Sequence, residues 1–221
     1  MCGRVSQHSP PETLIKVFGI DTVAVEAVPS YNTCPADDLL SVVQKEGKNR
    51  LVKLHWGFVP SWSKDVSRTS RPINARAESL SLKPLFRAAF KHRRCLIAAD
   101  GFYEWKKSEG RKQPFYFTLP SGGPFGIAGL WEKYEGAEKT LYSCAIITTE
   151  AGKSVRHIHH RMPVILLPEA YQTWLDAQNN DFPHLEKLIR DCHVQEMRSH
   201  PVSTFVNSPK NNNPSCIAPL I

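Results

Sequence analysis

Apolar and polar positions alternate with two different periods along the chain. Residues 9–19 (SPPETLIKVFG) predict a short helix: Ser9 and Glu12 have capping-box spacing, prolines fill the first turn, and Gly19 lies past the end. Residues 39–59 (LLSVVQKEGKNRLVKLHWGFV) read as two strands around a glycine-containing turn, a hairpin. The polar stretch 61–72 is expected to be loop. Residues 81–94 (SLKPLFRAAFKHRR) predict a second helix, whose cationic end suits the helix dipole.

Beyond Cys95 the pattern turns strand-like. CLIAADGFYEWKK, QPFYFTLP, FGIAGLWEKYE and TLYSCAIITTE are apolar or alternating, divided by SEGRK, SGG and EGAEK, and RMPVILLP adds a further strand. Two late helices are expected at PEAYQTWLDAQ and DFPHLEKLIRDC. No repeat or long linker divides the chain. The expectation is a single α+β domain over residues 1–221, mostly antiparallel and curled into a barrel-like sheet with peripheral helices.

Composition narrows the class. A chain of 221 residues, 41% hydrophobic and 22% charged, suits a soluble globular protein with a core of its own. Its net charge of +7 favours polyanionic partners without specifying one. The 6 cysteines are scattered, with no Cys-x-x-Cys pair. The N-terminus lacks a signal-peptide pattern, and no apolar run approaches the roughly 18 residues of a membrane span. These features predict a reduced intracellular protein with free thiols, no structural zinc and no membrane partner. Its expected location is the cytoplasm, the nucleoid or the nucleus, depending on the host.

Several stretches carry chemistry. Cys2 follows the initiator methionine; if Met1 is removed, it presents an α-amine and a thiol on adjacent carbons. In PINARAES, alternation puts Asn74 and Arg76 on one face, where an amide beside a guanidinium can hold a sugar hydroxyl and a phosphate, or be solvated on a surface strand. In DGFYEWKK, Glu104 among aromatics is a candidate for a desolvated carboxylate with a raised pKa, and Trp105 for stacking on an unpaired base or packing in the core. HIHHRMP is histidine-dense, but no nearby carboxylate or cysteine completes a metal site, so a proton carrier or a solvated loop is expected. KHRR (91–94), Lys106, Lys107, Arg111 and Lys112 count as ordinary surface charges unless the fold clusters them.

Taken together, MCGR, YNTCP (31–35), WGFVPSW (56–62), PINARAES (72–79), AADGFYEWKK (98–107), IHHRMPVIL (158–166) and VNSPKNNNPSCIAPL (206–220) resemble, in order, the blocks of the SOS-response-associated peptidase family. The resemblance spans nearly the whole chain. It implies that Cys2 is a nucleophile that becomes attached to abasic sites in single-stranded DNA. By the same resemblance Asn74, Glu104 and His159 match the other active-site positions, and Arg4 and Arg76 match residues that hold the DNA backbone. His160 stands where the family commonly has aspartate, and Cys34 occupies a position that varies.

The implied reaction explains why the cysteine would come first. An α-amine, with an ordinary pKa of roughly 7.7–8.0, attacks the open-chain aldehyde, and the thiol, ordinarily near ~8.5 and expected to be lowered by nearby cations, closes a thiazolidine ring. No cofactor is needed, and a monomer is expected. Strand cleavage by β-elimination and reversal of the crosslink are implied side reactions. Two alternatives remain at this level: an N-terminal-nucleophile thiol peptidase, and a non-catalytic single-strand-binding module.

Overall fold

The computed structural model describes residues 2–65, 69–108, 110–136, 140–191, 194 and 196–220. Met1, Cys192, loop residues 66–68 and expected turn residues 109 and 137–139 lie outside them. The first strand, β1 (Val5–Gln7), is buried and leads into α1 (Pro11–Phe18), which buries Leu14 and Phe18 and ends at Gly19, whose N–H donates to Ile15 O. Ser9 does not cap this helix; Pro10 occupies the cap position. Residues before proline are driven into extended conformations. Ser9 Oγ instead donates to Asp100, whose other carboxylate oxygen accepts the N–H groups of His8 at 2.5 Å and Ser9 at 2.9 Å.

Next come β2 (Thr22–Val23), β3 (Ser30–Thr33), β4 (Asp38–Lys45) and β5 (Lys48–Trp56). The last two form the expected hairpin. Lys45 faces Lys48, leaving Glu46 and Gly47 as a two-residue turn with φ of 55° and 74°. Positive φ at both positions is the twist that matches a hairpin, and glycine adopts it without steric cost.

A short β6 (Asn74–Arg76) is followed by a 3₁₀ turn over Ala77–Ser79 and by α2 (Pro84–His92). The expected helix thus stops early, and Arg94 opens β7 (Arg94–Ala99) as a buried residue. This corrects the reading of KHRR as surface charge for Arg94, while His92 is exposed and Lys91 and Arg93 are half-buried. Arg94 donates to the carbonyls of Phe90 (2.8 Å), Lys91 (2.6 Å) and Trp174 (2.7 Å), and also to that of Asp176. Its guanidinium satisfies carbonyls that helix ends leave open.

The strand-rich half comprises β8 (Gly101–Ser108), β9 (Arg111–Thr118), β10 (Phe125–Glu135) and β11 (Thr140–Glu150). Then follow α3 (Lys153–Arg156), β12 (Arg161–Pro163) and β13 (Ile165–Leu166). The first late helix is shorter than expected: a 3₁₀ turn over Pro168–Ala170 precedes α4 (Tyr171–Leu175). The chain continues through α5 (Phe182–Asp191) and β14 (Arg198–Pro201). Among the described residues, no helix is long and apolar enough to cross a membrane.

Strands β11, β10, β7, β4 and β5 pair in that order, and parallel pairing of β5 with β11 (Ser143 opposite His55, Cys144 opposite Trp56) closes the ring. The expected barrel-like sheet is therefore a closed five-stranded barrel with one parallel seam. Along β7, Cys95, Ile97 and Ala99 join one apolar cluster with Trp56, Ile127 and Ile146. Leu96 and Ala98 join the other, beneath Phe18, Phe90, Trp174 and Leu188 of the helices. Both faces are covered, so β7 is apolar from Cys95 to Ala99.

A second, antiparallel sheet, ordered β14-β9-β8-β1-β3, holds the N-terminal strand between β8 and β3. Here Gly101 is required by a close approach: a Cβ at that position would lie 2.3 Å from the ring of Tyr116. That tyrosine shares a 2.7 Å hydrogen bond with Ser6, tying β9 to β1.

Candidate active site

Four segments meet where β1 begins. Cys2 precedes β1, Asn74 opens β6, Glu104 lies on β8, and His159 lies in the turn between α3 and β12. Pairing of β1 with β8 covers Gly101 and Phe102, and the Tyr103 N–H donates to Arg4 O, so Cys2 is carried alongside Glu104. Asn74 is held by the parallel pairing of β6 with β11 (Asn74 opposite Ile146) and donates from Nδ2 to Cys2 O at 2.9 Å. Its Oδ1 is buried without a hydrogen-bond partner among the described residues. An orphaned acceptor beside a potential nucleophile suits a ligand hydroxyl or an amine.

Cys2 is fully buried. Burial, and then the charge of Glu104, push its thiol well above the usual range, against a smaller opposing pull from the Arg4 backbone N–H. The expectation of a thiol lowered by nearby cations is thus corrected: after burial, the largest influence on it is an anion. Glu104, 3% exposed, behaves as its aromatic setting predicts. Burial pushes its carboxyl up to about 6, outweighing the Trp105 backbone N–H that stabilises the charge.

Glu104 Oε1 lies 3.8 Å from His159 Nδ1. That nitrogen is 3.0 Å from both the N and the O of Arg161. The Arg161 N–H can only donate, so it is satisfied by the tautomer with the proton on Nε2. Burial lowers the His159 pKa, favouring the neutral ring, and His160 stacks on it at 4.5 Å. Arg161 Nη1 and Nη2 donate to the two carboxylate oxygens of Glu78 at 2.7 and 3.0 Å, and Nη2 donates to Thr148 O at 2.7 Å. With His160 exposed, Glu78 is the charge partner of Arg161.

The expected DNA-contacting residues divide. Arg76 is exposed and lines an open cleft of about 460 Å³ with Glu150, Arg156, His160 and Arg161. Arg4 Nη1, by contrast, donates to Asn32 Oδ1 at 2.6 Å and Val206 O at 2.7 Å, and its guanidinium lies 5.8 Å from the centre of the Trp105 ring. Arg4 is thus an internal brace as well as a cation at the site. Trp105 is half-buried, its indole N–H donating to Asn207 Oδ1 at 2.8 Å, and it lines a cleft of about 360 Å³ with Glu104, His159 and Asn207.

Sequence reasoning assigned no role to Asn32, Glu78 or Asn207. Asn32 is buried and donates to the carbonyls of Val206, Ser208 and Asn211 at 3.1, 3.0 and 2.6 Å, anchoring the C-terminal segment against β3. The signal for all three was their presence inside YNTCP, PINARAES and VNSPKNNN. Cys34 lies beside the same hub, its Sγ 3.1 Å from Asn32 O. Among the described residues, no group of three or more His, Cys, Asp or Glu is arranged to hold a metal ion.

Comparison with known proteins identifies the family. The model of the family "SOS response associated peptidase (SRAP)" matches residues 1–209. The abasic site processing protein YoqW of Bacillus subtilis is 42% identical over 98% of this chain and 99% of its own. The abasic site processing protein HMCES of Xenopus tropicalis is 36% identical over 87% of this chain and 67% of its own. Among solved structures, a protein from Bacteroides thetaiotaomicron superposes over 100% of both chains with a TM-score of 0.86 at 21% identity, a likeness of fold. On the family match and the near full-length relatives, the chain belongs to the SOS response associated peptidase (SRAP) family.

Proposed function

We propose that this protein processes abasic sites in single-stranded DNA by covalent capture through Cys2 after removal of Met1. The observation that carries the reading is a chain of neighbours, Asn74 bonded to Cys2 O, Cys2 under the charge of Glu104, and Glu104 beside His159 on a cleft, in a chain whose relatives of 42% and 36% identity are named for abasic site processing.

The free α-amine of Cys2 adds to the sugar aldehyde, and the resulting carbinolamine loses water to give an imine. The thiol sulfur then attacks the imine carbon, its proton passes to the ring nitrogen, and a thiazolidine forms. Both nucleophiles belong to one residue, so closure is intramolecular, where effective molarities reach about 10⁵ M. Glu104, with a carboxyl near 6, exchanges protons during sugar ring opening and loss of water. His159 donates from Nε2 to the sugar oxygen or an adjacent phosphate. Asn74, already bonded to Cys2 O, orients the terminus and offers Oδ1 to the amine or a sugar hydroxyl.

Burial suggests an order for this sequence. It disfavours the Cys2 thiolate, which supports the amine acting first and the sulfur second. The same imine permits β-elimination and reversal. Arg76, Arg4 and Trp105 hold the flanking strand.

The test is a denaturing gel of Met1-free protein with a single-stranded oligonucleotide carrying one abasic site, alongside Cys2→Ala. A shifted band that needs both the abasic site and Cys2 is the expected result. Its absence from the processed protein would overturn the reading in favour of an N-terminal-nucleophile peptidase.

A further inference from the structure

The cations near residues 106–112 do cluster, and in a specific way. Lys107 and Lys112 stand directly opposite one another in the β8–β9 ladder. Both are exposed, and both line the cleft that contains Glu104 and His159. Neither has an ion-pair partner among the described residues. Like charges directly opposite on one sheet face are destabilising, whereas opposite-charge pairs are stabilising. An anion between them would turn that cost into a gain.

Position within the cleft narrows the anion. Glu104 is buried at the inner end, so a phosphate there would meet a carboxylate held in low dielectric. The two lysines stand on exposed β-ladder positions, where a phosphodiester keeps part of its hydration. Trp105, on the same wall, is braced through Asn207 and offers an aromatic surface to a neighbouring base.

We infer that Lys107 and Lys112 form a two-pronged clamp on one phosphodiester of the captured strand, on the β8–β9 side of the reacting sugar, with the Arg76 cleft serving the other flank. The inference rests on the DNA reading above and adds a subsite to it.

The experiment uses an oligonucleotide containing a tetrahydrofuran abasic analogue, which has no aldehyde and so reports binding without capture. Affinity is measured against salt for wild type, Lys107→Ala/Lys112→Ala and Lys107→Arg/Lys112→Arg. Loss of one phosphate contact is expected to reduce the log–log salt slope by about 0.7 in the alanine pair, and the arginine pair restores it. Methylphosphonates, which lack the charge, are then placed one at a time along the strand. The alanine pair should become insensitive at one position beside the abasic residue and remain as sensitive as wild type elsewhere, a double-mutant coupling between clamp and phosphate.

An unchanged salt slope would overturn the clamp, as would losses that add at every position. Covalent capture of a true abasic oligonucleotide at saturating concentration separates the two readings. If the clamp alone is wrong, wild type still gives the denaturant-stable band. If capture is wrong, that band is missing while the analogue still reports on the lysines.

Discussion

Asn74 Nδ2 and the carbonyl of Cys2 are 2.9 Å apart, a hydrogen bond between residues 72 positions distant that ties the N-terminus to β6. Asn74→Ala removes this bond and the orphaned Oδ1 together. We expect a stability loss of about 1 kcal/mol. Single-turnover capture should slow by roughly tenfold or more, because an unheld terminus gives up its orientation. Asn74→Asp, nearly the same size, points an acceptor at an acceptor and should be slower still. Rapid-quench gels on both variants measure this, and equal rates for all three proteins would refute it.

Glu104 opposes stability and activity. Its folded-state carboxyl, near 6, lies above the ordinary 4.5, so the folded protein holds that proton more tightly than the unfolded chain. The associated stability is fully present below 4.5 and is lost as pH rises through about 6, a change of about 2 kcal/mol. Glu104→Gln should therefore melt higher than wild type at pH 7.5, and the advantage should vanish near pH 4. Its capture rate should be low and flat across the window in which the wild-type rate rises with pH. Paired melting and rate profiles test both signs.

The Glu78–Arg161 pair links the turn after β6 to the residue whose backbone N–H meets His159 Nδ1. Glu78→Ala leaves a largely buried guanidinium with the Thr148 carbonyl, and charge-assisted bonds of this kind contribute about 1.5–3 kcal/mol. The Arg161 guanidinium holds the Glu78 carboxyl below the usual carboxylate range, so this support is present above the ordinary value and is lost only in more acidic solution. Nitrogen NMR of His159 provides the readout: a single Nε2–H tautomer in wild type, and a mixture in Glu78→Ala.

Arg94 should affect stability and spare chemistry. Arg94→Met fills a similar volume but leaves the carbonyls of Phe90, Lys91 and Trp174 without this donor, at a cost of about 3 kcal/mol or more. Urea melts should show the loss, while capture rates well below the transition stay near wild type.

Local signals in the sequence were read well where they acted alone. The β4–β5 hairpin follows from two apolar runs and Glu46-Gly47, and Gly19 marks the end of α1. Readings failed where a distant group outbid the local one. Asp100 drew Ser9 away from capping, and carbonyls from two helices drew Arg94 into the core. The four proposed reacting positions were recognisable as blocks, and the raised Glu104 carboxyl followed from its aromatic neighbours. The thiol shift did not, because it depends on β1 being threaded beside β8. The role of Asn32, beyond its place in YNTCP, was hidden for the same reason: its three acceptors lie 174 to 179 positions away.

That threading has a consequence for how the protein is born. Arg4, two residues from the proposed nucleophile, is anchored on Val206, 202 positions later. Cys2 leaves the ribosome first, yet its surroundings wait for nearly the last segment to be made. A nascent chain thus carries Cys2 without Asn74, Glu104, His159 and the Val206 anchor in place together, and seating it is a late, long-range closure of the kind that slows folding. If Cys2 captures abasic strands as proposed, a half-made copy lacks the assembled site that capture requires. A chain ending before Val206 should accordingly keep a free N-terminal cysteine that labels readily with a soluble aldehyde, yet lose selective capture of abasic strands.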